Sequence, residues 1–544
     1  MNCPAFTSSQ NQFVNAGVTV FIKETEHMKT RLIYIAVASA LASLAGVAYA
    51  QTTMSGAVEY TITHNPDVAI DARHRRAVDE ALLGAYSGYL PSVDLAWGTG
   101  REKANNSTTR GPQGSNAPYS WSNTLHRHER SVTAQWNIFQ SLGTWFEVER
   151  NKARVESAAH RVAGTSDAIA LRVVEAYLDV LRMRETVRLT RQNLDNHQKT
   201  YDQIQMRVAS GIGRRSDLDQ SEARLALARS NLISAEANLP DVEIAYRRYV
   251  GMPADDLIQP ALPDSSLIPR DLETAQEAAR QGNPLLKQSY ADVDAANAQY
   301  NAAKSPFGPR LDIEAGITNV DNAGGAIGSS DDRYVMLRAR WNIFRGGYDT
   351  ARLGETKQQS YEALDISKRT LMQLEQSTAL SWNTLQSVRE RLPSLKQHAE
   401  SALATRDAYT LQFTIGQRTL IDLLDTENEY FTSTVEYVNG QYLELFAAYR
   451  LLADMGLILP TLGVQPLADV DPSRRPARAN PWSRSDYGQP LQQLQTPGGA
   501  VDHDVQMQQQ QQMQQGGQQM QEVYHVPAGS ETQDLIDLNS LEGL

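Results

Sequence analysis

The tetrapeptide Trp136-Asn137-Ile138-Phe139 recurs letter for letter as Trp341-Asn342-Ile343-Phe344, and this doubling constrains the fold more than any other feature. Further pairs repeat around it. Asn65-Pro66 matches Asn283-Pro284 and Pro91 matches Pro309 at an offset of 218, whereas Gly211 with Gly416, Asp217 with Asp422 and Gly251 with Gly456 match at 205. The change of offset places 13 extra residues in the first half, between Pro91 and Trp136. The chain is thus two tandem copies of one unit, residues 51–260 and 261–464, and internal duplication takes precedence over any other fold assignment.

Each copy closes an alternating run. Val132, Ala134, Trp136 and Ile138 alternate with Ser131, Thr133, Gln135 and Asn137; Val335, Leu337, Ala339, Trp341 and Ile343 alternate with Met336, Arg338, Arg340 and Asn342. A period of two over this length is a strand that is apolar on one side only. Two shorter runs, Val93-x-Leu95-x-Trp97 and Leu311-x-Ile313-x-Ala315-x-Ile317, bring the total to four strands, with polar loops expected over 101–127 and 320–332.

Helical patterns fill the rest, over 55–88 and 272–304 and then over much longer stretches. Val173, Val180, Val187, Leu194, Tyr201 and Val208 fall seven apart, as do Leu218, Leu225, Leu232, Leu239 and Tyr246, and Leu424, Phe431, Val438, Leu445 and Leu452. A sustained spacing of seven is a coiled-coil seam. The pattern from Gly143 to Gly211 predicts roughly 100 Å of helix at about 1.5 Å per residue. The return helix 218–250 and the helix 272–304 are each half that length and together would match it, with 251–271 at the waist. Pro240 and Pro393 predict kinks or ends near them.

The first fifty residues read as a leader. Lys29 and Arg31 precede the apolar run 32–47 and Ala48-Tyr49-Ala50, so cleavage is expected after Ala50, and the true start is either Met1 or Met28. The single cysteine, Cys3, lies in that leader, so no lipidated cysteine follows the apolar run. No later stretch approaches the apolar length of a spanning helix. A net charge of −12 argues against nucleic acid, which needs a basic face. Residues 465–544, with a glutamine tract over 506–521, cannot bury a core and read as mostly disordered, with 535–541 a short helix or docking motif.

Four strands cannot close a barrel, and an open sheet edge is not viable in lipid. Membrane strands would have to be pooled, eight from two chains or twelve from three; the alternative is a soluble pair of hairpins packed on helices. Two tandem halves, each helix, proline, strand, loop, strand ending in Trp-Asn-Ile-Phe, glycine, long helix, glycine-containing tip and return helix, resemble the TolC family of outer-membrane factors. The stretch Gly416-Gln417-Arg418-Thr419-Leu420-Ile421-Asp422-Leu423-Leu424-Asp425 carries the most specific match.

The resemblance implies an α+β membrane protein. It would be a homotrimer with a twelve-stranded transmembrane β-barrel continuous with a long periplasmic α-helical coiled-coil barrel, a passive duct for type I protein secretion or small-molecule efflux. The implied partners are a periplasmic adaptor, an inner-membrane ABC or proton-driven transporter and outer-membrane lipid. Arg418 matches the family's tip arginine, Asp422 and Asp425 its acidic rings, and Ser216 and Asp217 its first-half pair; Phe413 stands where the best-known member has a tyrosine. The rival is a structural periplasmic coiled-coil trimer without channel activity.

The residues themselves point to no enzyme, cofactor or metal. His126-x-His128 reads as solvated loop histidines in preference to a metal pair. Ser216 with Asp219, and Thr419 with Asp422, have the spacing of capping boxes, and Gly211 and Gly416 suit hairpin tips. Alternation places Val132, Trp136, Val335 and Trp341 toward lipid, and Gln135 and Arg338 toward water.

Overall fold

In the computed structural model, which describes residues 52–110 and 122–474, each half is built on one helix of 67 residues: α3 (Gly143–Ala209) in the first and α7 (Tyr348–Thr414) in the second. Each turns at a tip into a return helix, α4 (Arg215–Val250) and α8 (Leu420–Asp454). The heptad positions form the seam. Val173, Val180, Val187, Leu225, Tyr246, Leu424, Val438, Leu445 and Leu452 are buried, and the other positions of the three series are half-buried. The helices continue through Pro240 and Pro393, which therefore end nothing. Each proline removes one backbone bond, at a cost of roughly 3 kcal/mol, which a long packed seam absorbs.

The expected helices 55–88 and 272–304 are each two helices. α1 (Met54–His64) breaks from α2 (Pro66–Tyr86) at Asn65, and α5 (Leu272–Gly282) breaks from α6 (Pro284–Ala302) at Asn283. The repeated Asn-Pro is the cause: asparagine caps the second helix, and proline fits its first turn because no amide is needed there. The same asparagines set the stacking. Asn65 Nδ2 donates to the Tyr249 carbonyl at 3.3 Å and Asn283 Nδ2 to that of Asp454 at 3.0 Å. Return helix α4 thus abuts α2, and α8 abuts α6, each with the entry helix of its own half; the expected partnership of 218–250 with 272–304 does not form. At the second joint a Cβ on Gly282 would run into the Met455 carbonyl oxygen, so only glycine permits the approach.

The four strands β1 (Ser92–Ala104), β2 (Asn123–Gln140), β3 (Arg310–Asp321) and β4 (Ser329–Arg340) form one antiparallel sheet in chain order. They run further than the alternation suggested, and strand replaces part of both expected loops. Trp136 lies within β2, just before a bulge, whereas Trp341 falls one residue past β4. The two tryptophans nonetheless hold equivalent places: Trp136 Nε1 donates to the Tyr89 carbonyl at 2.9 Å and Trp341 Nε1 to that of Phe307 at 3.1 Å.

One sheet face is apolar and bare, with Leu95 81%, Trp97 70%, Val335 77% and Leu337 67% exposed. The other is polar. Asp312 is fully buried beneath Arg310 (2.8 Å), Arg340 (3.2 Å) and the amide of Asn137 (2.9 Å), and Glu314 takes Arg338 at 2.8 Å. Gln135 and Arg338 share this face, opposite Glu314 and Asp312 in the ladder.

The main core lies at mid-height. Val58, Tyr177, Tyr246, Leu286, Leu385, Leu451 and Met455 meet there, and the Tyr177 hydroxyl donates to the carbonyls of Thr52 (2.8 Å) and Ile258 (2.6 Å). The chain after α8 belongs to this body as far as Arg474. Asp469 accepts two 3.0 Å bonds from Arg76, and buried Arg75 donates to the carbonyls of Asp471 and Arg474. Residues 465–474, expected to be mostly disordered, thus pack on this body, and the expected leader and residues 475–544 lie outside the described residues.

Candidate functional site at the helix-hairpin tips

Both tips turn through glycine in the left-handed region, Gly211 at φ 76° and Gly416 at φ 80°, with open space where a Cβ would lie. Glycine is needed there for backbone conformation alone. The second tip is stitched as its sequence predicts: the Thr419 hydroxyl accepts from the Asp422 amide at 3.3 Å and the Asp422 carboxylate from the Thr419 amide at 3.2 Å. These bonds hold the Asp422 carboxyl below its ordinary range, with a smaller contribution from Arg418. The first tip has no such box. α4 starts at Arg215, which leaves Ser216 already inside the helix beside Asp217 at 3.4 Å, while Asp219 pairs with Arg215 at 3.1 Å. Here main-chain bonds make the turn, from the amides of Ile212 and Gly213 to the Arg207 carbonyl.

Arg418 is held within its own hairpin. Its guanidinium lies 4.2 Å above the Tyr409 ring, its Nε donates to Gln412 Oε1 at 3.0 Å, and it stands 4.0 Å from Asp422. Phe413 is not a surface latch position. It is 5% exposed, packed with Ile204, Leu420, Leu423 and Leu424 in a small tip core.

Two residues that sequence reasoning missed join the hairpins. The Arg207 guanidinium stacks 4.6 Å from the Phe413 ring and donates to the last carbonyls of α7, Phe413 and Thr414, at 3.4 and 3.3 Å. Arg224 on α4 reaches Asp425 on α8 at 3.5 Å. A third link lies above: Glu427 of α8, buried, faces Arg406 of α7 (3.5 Å) and Asn196 of α3 (3.2 Å), and burial raises its carboxyl above the ordinary range against the pull of Arg406. Nothing in the sequence signalled the links between hairpins, Arg207 with Phe413 and Thr414, Arg224 with Asp425 and Asn196 with Glu427, since each connects positions more than two hundred residues apart.

His126 and His128 sit on β2, not in a loop. His126 accepts from Arg101 Nε at 3.3 Å and His128 pairs with the Thr99 hydroxyl at 3.0 Å. Among the described residues no group of side chains is arranged to hold a metal ion.

The paired halves, the four-stranded sheet and the two hairpin tips correspond to one sequence profile, that of outer membrane efflux proteins, which matches residues 58–252 and 276–457 and leaves out the join between the repeats. The chain belongs to the outer membrane efflux protein family. It is 24% identical to the outer membrane efflux protein BepC of Brucella suis biovar 1 over 78% of this chain and 89% of that one. Identity to the outer membrane protein TolC of Escherichia coli is 22% over 83% and 91%. In fold it resembles the CmeC outer membrane channel of Campylobacter jejuni (TM-score 0.64, 14% identity, 74% and 86% covered) and VceC of Vibrio cholerae (TM-score 0.60, 17% identity, 76% and 96% covered). An efflux protein of this family is an outer-membrane duct that extends into the periplasm, with four barrel strands from each of three chains. The strand ends that lead into helices therefore face the periplasm, and the β1–β2 and β3–β4 turns face outward.

Proposed function

We propose that this chain is the passive exit duct of a tripartite export system. Its resting state would be closed at the hairpin tips, and an inner-membrane transporter would act on it through a periplasmic adaptor. The single observation that supports this reading best is the sheet: a bare apolar face, a charge-paired polar face, and two edges, β1 and β4, that have no partner among the described residues. In lipid those edges must be closed by other copies, and three copies give twelve strands around a polar lumen. Val132, Trp136, Val335 and Trp341 then meet lipid, and Gln135 and Arg338 line the water path. The relatives are named for protease secretion, pyoverdine export and cobalt-zinc-cadmium resistance, so the cargo class follows the inner-membrane partner.

At the entrance, exposed Asp425 and half-exposed Asp422 from three chains place six carboxylates around the axis, where low-dielectric walls focus their field. Exposed Ile212 and Ile415, one at each tip, offer apolar surface for the adaptor. A water-exposed ion pair contributes about 0–1 kcal/mol, so the gate rests on several modest contacts, and the adaptor must bind the open state more tightly by at least their sum.

Purified trimer in planar bilayers should show small, cation-preferring conductance. Arg418→Ser should raise it, as should Arg207→Ser, and Asp422→Ala with Asp425→Ala should weaken cation preference. Absence of any conductance would favour a structural coiled-coil trimer, and variants that match the native protein would move the gate away from the tips.

A further inference from the structure

The outward face of the sheet changes character along its length. From Trp341 at the periplasmic end, apolar positions rise through Ile313, Leu337 and Trp136, then Ala315, Val335 and Val93, then Ile317, Leu95 and Val132, to Trp97. Five two-residue steps along strands tilted about 40° give a height of about 25 Å, the apolar band of a membrane barrel. Cations take over at the upper edge. Arg333 lies level with Ile317, Arg130 opposite Trp97, Arg101 opposite His126, and Lys103 one step higher, all exposed and all on the lipid side of the ladder.

Charge pairing separates the two faces. Toward the lumen, Arg127 bridges Glu102 (3.2 Å) and Glu129 (3.1 Å), and Arg310, Arg338 and Arg340 all sit on Asp312 or Glu314. Outward, no described carboxylate pairs with Arg101, Lys103, Arg130 or Arg333, although Asp321 and Asp331 share that face. Barrel closure would set β1 of one copy beside β4 of the next: the carboxylates of β1, Asp94 and Glu102, both point inward, and the outward carboxylate of β4, Asp331, accepts from the Asn319 amide of its own sheet.

We propose that this belt binds the phosphate groups of the outer-leaflet glycolipid, lipopolysaccharide, with Arg101, Lys103, Arg130 and Arg333 donating hydrogen bonds to the phosphate oxygens. The belt lies where headgroups meet the apolar band, on the side of the β1–β2 and β3–β4 turns. It carries four permanent cations against two carboxylates, and His126 and His128 add donors between them. Anionic headgroups attract such clusters at roughly fivefold in affinity per Lys or Arg. The inference rests on the barrel reading above.

The test is equilibrium binding of fluorescent deep-rough lipopolysaccharide to the intact trimer in neutral detergent, beside the same glycolipid stripped of its phosphates. The phosphorylated form should bind at least tenfold more tightly, and salt should erode the difference. Arg101→Gln, Lys103→Gln, Arg130→Gln and Arg333→Gln together should abolish the discrimination, whereas Arg338→Gln with Arg340→Gln, on the lumen face, should keep it. Equal binding of both glycolipids by the native trimer overturns the proposal, a result that does not depend on any variant folding. Undiminished discrimination by the fourfold variant overturns it as well. Bilayer conductance of the same preparation reports on the barrel, so its loss counts against the earlier reading and not this one.

Discussion

Asp167, half-buried on α3, has no hydrogen-bond or ionic partner among the described residues, and burial pushes its carboxyl up to about 7. The folded chain therefore keeps a proton that the unfolded chain releases near its ordinary value of 3.8. The native state binds more protons between these values, so this group's contribution is full below pH 4 and lost as pH rises through about 7. Asp167→Asn should match the native protein at pH 4 and exceed it at pH 8. Discounted for partial exposure, the gain should be about 1–2 kcal/mol, read by denaturant unfolding at the two pH values. At the tips, residue identity was only partly legible. The glycines and the Thr419–Asp422 box follow from local rules. Ser216 did not become a cap because the helix starts two residues earlier, with Arg214 at the cap position, which no local rule fixes. Phe413 turned inward and Arg207 became a cross-hairpin donor, because both depend on which distant helix lies alongside.

The elements repeat this division between local and distant causes. Heptads and strand alternation were legible because each is a short-range period that burial enforces. The breaks at Asn65 and Asn283 were written in the sequence as a repeated Asn-Pro, yet the apolar pattern running through them suggested continuous helices. What distinguishes a break from a bend is the second task of each asparagine, its bond to the end of a return helix. Asn283→Ala would remove the cap on the amides of Leu285 (2.9 Å) and Leu286 (3.2 Å) and also the donor to Asp454. The expected loss is about 1–3 kcal/mol. Asn283→Ser should restore the cap alone. Hydrogen exchange in the first turn of α6 should rise strongly in the alanine variant and only partly in the serine variant.

For the molecule as a whole, the clamp of Arg75 and Arg76 ties residues 469–474 to the helical body. A chain stopped after Arg474 should assemble and melt like the full protein. One stopped after Val464 leaves buried Arg75 without its carbonyl acceptors and Arg76 without its carboxylate, and its trimers should dissociate at lower temperature on heated gels. The duplication also bears on how an entrance built from three such chains can move. Six hairpin tips would ring the axis, close to sixfold in outline, but only the second of each pair is tied by a capping box and an arginine laid on a tyrosine. Stiff and compliant tips therefore alternate around the rim. If the tips close the duct as proposed, such a ring would dilate as three arcs rather than as a uniform iris, and its mouth, when partly open, would be a triangle.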